Sequence, residues 1–355
     1  MPLKLGIFNG FFGGADSYEL YVKACEDLQV DYEIVDIISA NWMDNVRNSK
    51  CDGFLVRPSP RYDVWKRMFD ERLYFVERKL NRLIYPTYDE LFMYENKRIM
   101  AYWLQLHGIP SPQTHVFYDH DEALRFIEQT SFPIVFKTHI GATATGVEIL
   151  KTRRQARRLI DRVFSIGYGR KIRISLKGLL KNKIMVPGLN PAYYLEREYK
   201  TALIQEYLPD IVEWRVTCIG DSFFGYQKLK RGDFHSGGKL FGWVDPPRAL
   251  LDFARRVCDI GQFTSMALDV FETERGGYFV NELQCLFGQS NPSQMYINGK
   301  PGRYRYNLEK DSWIFEEGIF NQNGSCNLRV QNLMELIQKR GRGQGSRLGL
   351  QHWLE

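Results

Sequence analysis

In the stretch "SMALDVFETERGGYFVNELQC", residues 265–285, two alternating apolar runs flank the turn signal Arg275-Gly276-Gly277, a pattern that predicts a β-hairpin. An even-length turn centred on Arg275 and Gly276 pairs position 269 with 282, 270 with 281 and 271 with 280. Asp269 then lies directly opposite Glu282. Two carboxylates with Cβ atoms roughly 5 Å apart repel and weaken a sheet unless a cation lies between them. Gln284, two residues beyond Glu282, projects from the same face and offers another oxygen. Hard oxygen ligands of this kind suit Mg2+, which takes one or two carboxylates and completes its shell with phosphate oxygens and water. The plainer alternative is a solvated face on which the acids avoid one another, and the apolar character of both strands weighs against it.

A second stretch, "FPIVFKTHIGATATGVEIL", residues 132–150, is an apolar run, Lys137, and then Gly141 and Gly146 around four small residues. Val147 and Glu148 stand where a phosphate loop leading into a helix needs Lys and Ser or Thr, so that geometry is excluded. Strand-like sequence follows instead. The pattern fits a hairpin whose backbone N–H groups fold over phosphates, with Lys137 as a point charge, or a plain surface hairpin with a lysine at its edge. In "ALIQEYLPDIVEWRV", the proline break after Gln205-Glu206-Tyr207-Leu208 can present backbone groups to an adenine edge, with Glu213 or Arg215 reaching ribose or phosphate. Glu206 reads equally as a polar residue at a strand end. In "YQKLKRGDFHSGG", Lys228 and Lys230 share one strand face and Arg231 takes the other, which supplies cations for a transferring triphosphate. His235 is a candidate base or a solvated loop histidine.

These residues need a scaffold, and the rest of the chain supplies one. "LKLGIFNGF", "SYELYVKACEDLQV" and "DYEIVDI" read as a βαβ opening, "CDGFLVRPSP" as a strand, "RYDVWKRMFDERLYFVERKLN" as a charged helix, and "RLIYPTYDEL" as a strand and turn. A second unit starts with the helix of "YENKRIMAYWLQLHGIPSPQTHVF", stopped by Gly108. The helices "DHDEALRFIEQT" and "RRQARRLIDRVF" bracket the glycine hairpin. Residues 168–195 are basic and poorly periodic, and are read as an insertion. Strands dominate from "TALIQEYLP" onward, interrupted by the helix "PPRALLDFARRVCDIGQ". The basic, glycine-rich end is read as a frayed tail.

Composition narrows the class. The 355 residues are 44% hydrophobic and 25% charged, the balance of a globular protein of two or three domains. No run approaches the roughly 20 apolar residues of a membrane span, and a cytoplasmic location is expected. The six cysteines are scattered, with no CxxC and no nearby His, so buried thiols are expected rather than zinc or disulfides. A formal charge of +6 suits anionic small molecules as well as nucleic acid.

Taken in order, "ENKRIMAYWLQLHGIPSPQT", "FPIVFKTHIGATATGV", "LIQEYLP", the basic strand ending "GDFHSGG", "ALDVF" and "VNELQ" resemble the ATP-grasp superfamily over about residues 96–300. The resemblance implies a mixed α/β and α+β chain. An N-terminal Rossmann-like pre-ATP-grasp domain would span 1–92. Two α+β subdomains holding ATP between them would follow: a central one at 93–200, with the glycine-rich loop and the basic insertion at 168–195, and a C-terminal one at 201–338, with the Mg site. The basic tail would be 339–355. Carried onto this sequence, the resemblance puts Lys97 and Lys137 on ATP phosphates and Gly141 to Gly146 in the flexible loop. It puts Glu206 to Leu208 at the adenine, Glu213 on ribose, Lys228 or Arg231 at the γ-phosphate, and Asp269, Glu282 and Gln284 on Mg2+. The family usually has Asn where Gln284 stands, and "KLKR" lies closer to its Gly-Gly loop than in the peptide ligases. The aromatic-rich N-terminal unit and "FHSGG" look more like ATP-grasp proteins of cell-surface glycan biosynthesis.

The activity so implied is that of an ATP-dependent carboxylate–amine ligase, with ATP and Mg2+ as cofactors and a small-molecule acid and amine as substrates, in glycan or secondary metabolism. A homodimer is compatible with it. A phosphotransferase on the same fold is the alternative. A non-enzymatic nucleic-acid-binding protein, built on "RRQARR" and "KRGRGQGSR", is disfavoured because no aromatic-interleaved basic motif accompanies them.

Overall fold

The apolar N-terminal run forms β1 (Lys4–Phe8), and the amphipathic segment after it forms α1 (Glu19–Asp27), which returns the chain to β2 (Asp31–Val35). α2 (Trp42–Asn48), β3 (Gly53–Leu55), α3 (Asp63–Tyr74) and β4 (Ile84–Tyr85) follow. These strands make a parallel sheet in the order β2-β1-β3-β4, as helical crossovers require. The computed structural model describes residues 3–10, 18–58, 63–139, 146–169, 197–229, 240–286 and 295–341. Gly141, Lys230, Arg231, His235, nearly all of the basic insertion and the tail beyond 341 lie outside the described residues.

Where the sequence suggests a turn after β4, Thr87 instead caps a short helix, α4 (Tyr88–Met93), in a capping box with Glu90. The fully buried Glu90 does more than cap. Its Oε1 accepts the N–H groups of Thr264 and Ser265 at 2.8 and 2.7 Å, which ties the first unit to the third, and burial pushes its carboxyl above the usual range.

The second unit contains α5 (Lys97–Leu106), β5 (Thr114–Phe117), α6 (His120–Gln129), β6 (Ile134–Lys137), β7 (Val147–Leu150), α7 (Arg153–Ser165), β8 (Tyr168–Gly169), β9 (Arg197–Glu198) and β10 (Ala202–Glu206). β5, β10, β6 and β7 form an antiparallel sheet in that order. Phe136 and Ile204 from this sheet pack against Ala123 and Ile127 of α6 and Ile160 of α7. The sheet takes in β10, so it extends past the boundary expected at residue 200. The arginines of α7 lie on its solvent face, and Arg153 and Arg157 pair with Glu128.

The third unit holds β11 (Ile211–Ile219), β12 (Ser222–Lys228), β13 (Phe241–Gly242), α8 (Arg248–Gly261), β14 (Ser265–Thr273), β15 (Tyr278–Gln284), β16 (Tyr296–Ile297), β17 (Lys300–Asn307), β18 (Ser312–Glu317) and α9 (Cys326–Gly341). Its sheet runs β15-β14-β11-β12-β17-β16, with β13 on β12 and β18 on β17. Phe54, Val56 and Leu91 of the first unit share one core with Trp214, Leu268 and Leu283 of the third.

The start of the expected tail is ordered. α9 continues to Gly341 and packs Val330 and Leu333 against Leu5, Ile7 and Tyr21. Gly53 permits this approach, since a Cβ there would lie 3.1 Å from Ile337. The basic composition of the segment hid its apolar face. All six cysteines are free and buried.

Candidate active site on the third sheet

Strand alternation aligns the charged residues in rows. Arg215 pairs with Tyr226 on one side and Asp269 on the other, and Asp269 pairs with Glu282. In the next row Glu213 lies between Lys228 and Phe271. Because residues i and i+2 share a face, Glu213 and Arg215 point the same way, as do Glu282 and Gln284.

Asp269 does lie opposite Glu282, but the register slips beyond them. Val270 pairs with Val280 and Phe271 with Phe279, not with 281 and 280. The turn is odd in length, closed by the Thr273 N–H on the Gly277 carbonyl at 3.0 Å with Gly276 at φ +76°. The extra residue, Asn281, is absorbed as a bulge between the pairs. Its Oδ1 accepts from Lys137 Nζ at 2.8 Å. Simple alternation would turn Asn281 away from the Glu282 face, which is why the sequence reading passed it over.

The repulsion between the acids is relieved by protein cations, not left for a metal alone. Arg215 donates Nε and Nη2 to the two oxygens of Asp269, each at 2.7 Å, and Lys228 Nζ donates to Asp269 Oδ2 at 2.7 Å, a charge-assisted fork. Lys228 also pairs with Glu213. Glu282 Oε1 accepts from Gln284 Nε2 at 3.0 Å and lies 3.4 Å from Lys97 Nζ. Four cations, Lys97, Lys137, Arg215 and Lys228, thus meet three carboxylates, Glu213, Asp269 and Glu282, on one largely buried face.

Burial opposes ionisation throughout, and the neighbours decide the outcome. At Asp269 the burial penalty is outweighed by Arg215 and Lys228, which hold its carboxyl at about 2. Burial likewise acts against Glu282, but Lys97 and the other lysines hold it below the usual range. At Glu213 burial wins over Lys228 and the carboxyl is pushed up. Burial pulls Lys137 down to about 8, Glu282 resisting and Lys97 assisting.

Mg2+ can be tested against these residues. Gln284 Oε1 is buried with no hydrogen-bond partner among the described residues, beside the Glu282 carboxylate, and an oxygen so placed fits a hard cation. Asp269 differs from expectation, because both its oxygens already accept from Arg215 and Lys228. Arg215, expected at ribose or phosphate, is committed to Asp269. Among the described residues no three His, Cys, Asp or Glu side chains group as a metal site. Glu282 and Gln284 are therefore the pair that fits best.

The other candidates fall around this face. Gln205 is buried and donates to Thr114 Oγ1 at 3.0 Å. Glu206 binds Gln113 twice, through its own N–H at 2.8 Å and its carboxylate at 3.2 Å. Tyr207 and Leu208 lie on the crossing from the second sheet to the third, six and five residues before Glu213. At the neck of the glycine hairpin, Thr138 N–H donates to the Gly146 carbonyl at 2.9 Å. Gly146 has φ +87°, and a Cβ there would collide with the Thr138 side chain, so only glycine fits.

The comparisons with known proteins give the family of this fold. Residues 95–297 match the RimK-like ATP-grasp domain, which is more than half of the chain. The chain belongs to the RimK-like ATP-grasp family. It is an ATP-dependent ligase of the carboxylate–amine class, which uses ATP and Mg2+. Three solved structures illustrate the fold. D-alanine–D-alanine ligase from Bacillus anthracis complexed with ATP is 11% identical with a TM-score of 0.53, over 96% of this chain and 100% of that one. N5-carboxyaminoimidazole synthetase from Staphylococcus aureus is 13% identical with a TM-score of 0.52, over 88% and 84%. The biotin carboxylase domain of 2-oxoglutarate carboxylase from Hydrogenobacter thermophilus, with MgADP, is 12% identical with a TM-score of 0.52, over 82% and 65%. No curated protein sequence matches the chain. Among the described residues no helix is long and apolar enough to cross a membrane.

Proposed function

We propose that this chain converts a small-molecule carboxylate to an acyl phosphate, with ADP as the nucleotide product, and joins it to an amine with release of phosphate. The observation that carries this reading is the buried face on which Lys97, Lys137, Arg215 and Lys228 meet Glu213, Asp269 and Glu282. A magnesium triphosphate brought there meets cations for its oxygens and carboxylates for its ion in one place. Its charge is met by exchange of partners rather than by uncompensated burial.

In this reading Lys97 and Lys137 contact phosphate oxygens, with the backbone of Gly141 to Gly146 beside them. Lys228 serves the γ-phosphate, Arg231 being the other candidate. Gln205 to Leu208 receive the adenine and Glu213 the ribose. Glu282 and Gln284 would hold Mg2+, with Asp269 opposite, and Arg215 keeps Asp269 ionised and oriented. ATP supplies the phosphoryl group that makes the carboxylate electrophilic, and Mg2+ neutralises phosphate charge. The protein's share is positioning and charge neutralisation, for which no covalent nucleophile is required. We assign the acid and amine to cell-surface glycan or secondary metabolism on the resemblance of "FHSGG" and the aromatic-rich N-terminal unit, and the reaction to the cytoplasm on the lack of a long apolar run.

The test is a product assay with hydroxylamine across a panel of acids. Hydroxamate and ADP in equal amounts are expected. AMP as product refutes the acyl-phosphate route, and a phosphorylated hydroxyl without hydroxamate makes the protein a phosphotransferase.

A further inference from the structure

A second charged cluster lies behind the lysines. A cavity of about 330 Å3 is lined by Asp63, Lys66, Arg67 and Asp70 of α3, Asn96 and Arg98 at the start of α5, and His139, Glu198 and Tyr199. It joins the first unit to the second. His139 bridges two of its walls. Its Nδ1 lies 2.5 Å and its backbone N 3.1 Å from Glu198 Oε2, and its Nε2 lies 3.5 Å from Asp63 Oδ1. Its carbonyl accepts the Lys97 N–H at 3.0 Å.

The two ring nitrogens thus face carboxylates from different units. Neutral imidazole carries one N–H and serves one of them, whereas imidazolium donates to both. Its backbone adjoins both site lysines: Lys137 is two residues upstream on β6, and the Lys97 N–H is hydrogen-bonded to its carbonyl. We infer that His139, as an imidazolium held between Asp63 and Glu198, is a positioning residue that fixes Lys97 and Lys137 relative to the first unit. This rests on the reading of those lysines as phosphate contacts.

The surrounding charges agree. Burial disfavours the imidazolium and Arg98 opposes it, but Asp63 and Glu198 prevail and raise the pKa of His139. The same contact, with Arg67, holds the Asp63 carboxyl low. Lys66 pairs with Asp70, and Arg98 lies 3.7 Å from Glu198. The folded-state pKa of His139 is raised, so the clamp is complete below its ordinary value and is lost as pH rises through the raised one. Asp70, pushed up to about 6 by burial, titrates in the same cavity and needs its own control.

The test uses the full chain and two readouts. The first is an NMR titration of the His139 ring, assigned with His139→Gln, together with hydrogen-exchange protection of the Lys137 to His139 amides against pH. The second is calorimetric binding of MgADP. The expected ring midpoint lies above that of a free histidine and moves down in Asp63→Asn and in Glu198→Gln. Asp70→Asn leaves the alkaline loss of amide protection in place. In His139→Gln, MgADP binding should weaken roughly tenfold, the loss of one charge-assisted hydrogen bond, and lose its alkaline limb. A ring midpoint at the ordinary value, unmoved by Asp63→Asn, overturns the inference without any variant of His139 having to fold. So does wild-type MgADP affinity in His139→Gln. Wild type that binds no MgADP, with ring and amides as expected, refutes the phosphate role of the lysines and leaves the hold of His139 on them standing.

Discussion

Lys137→Met should make the protein more stable and a poorer nucleotide binder at once. The ammonium is buried, and burial lowers its pKa from 10.5 to about 8. At roughly 1.4 kcal/mol per pKa unit, keeping it charged at neutral pH costs about 3 kcal/mol. Methionine fills similar volume without the charge, but it leaves Asn281 Oδ1 without its 2.8 Å donor, a loss of about 1–2 kcal/mol. A net gain of about 1–2 kcal/mol follows. The wild type carries the full cost below pH 8. Between about 8 and 10.5 the unfolded chain still binds a proton that the folded chain has released, so wild-type stability rises with pH there. The advantage of Lys137→Met should shrink across the same interval. Urea unfolding followed by circular dichroism at pH 7 and pH 10 measures the stability, and calorimetry with MgADP measures the function. Affinity should fall roughly 10- to 100-fold. A variant less stable than wild type by more than about 2 kcal/mol, or one that binds MgADP normally, would show that Lys137 is a structural lysine and not one held ready for phosphate.

Other substitutions probe the remaining parts. Glu282→Ala should lower Mg2+-dependent ATP turnover by about a hundredfold or more; a wild-type rate in the purified variant removes Glu282 from the metal. Asn281→Leu should raise the KM for ATP about tenfold with a smaller change in kcat, since it frees Lys137 without removing it; an unchanged KM would leave the bulge without a role in binding. Gly146→Ala should destabilise the fold by more than about 1 kcal/mol because of the positive φ and the Thr138 collision, which thermal unfolding will show; a neutral effect would mean the hairpin neck relaxes freely.

Local pattern carried most of the scaffold. Alternation located β11, β14 and β15, and with them the position of Asp269 opposite Glu282; that Glu213 and Arg215 join the same face follows from the sheet order. The failures came where a long-range partner decides the outcome. The repulsion of Asp269 and Glu282 was legible, but not that Arg215 and Lys228 answer it, because cross-strand neighbours of β11 and β12 depend on sheet order. Asn281 was hidden by one residue of turn length. The hairpin of β17 and β18 was missed because its charged residues, Arg303 and Arg305 facing Glu316, break the apolar alternation a strand signal relies on. His139 was passed over since Glu198 and Asp63 are distant in sequence.

The docking of α9 on β1, β3 and α1 has a bearing on how the protein is made. During synthesis the parallel sheet and α1 emerge before α9, with Leu5, Ile7 and Tyr21 needing a cover that is encoded more than three hundred residues later. Long-range closure of this kind is slow, and apolar surface waiting for it is sticky. The opening unit therefore leaves the ribosome before the helix that covers it, and α9 completes a core begun about three hundred residues earlier.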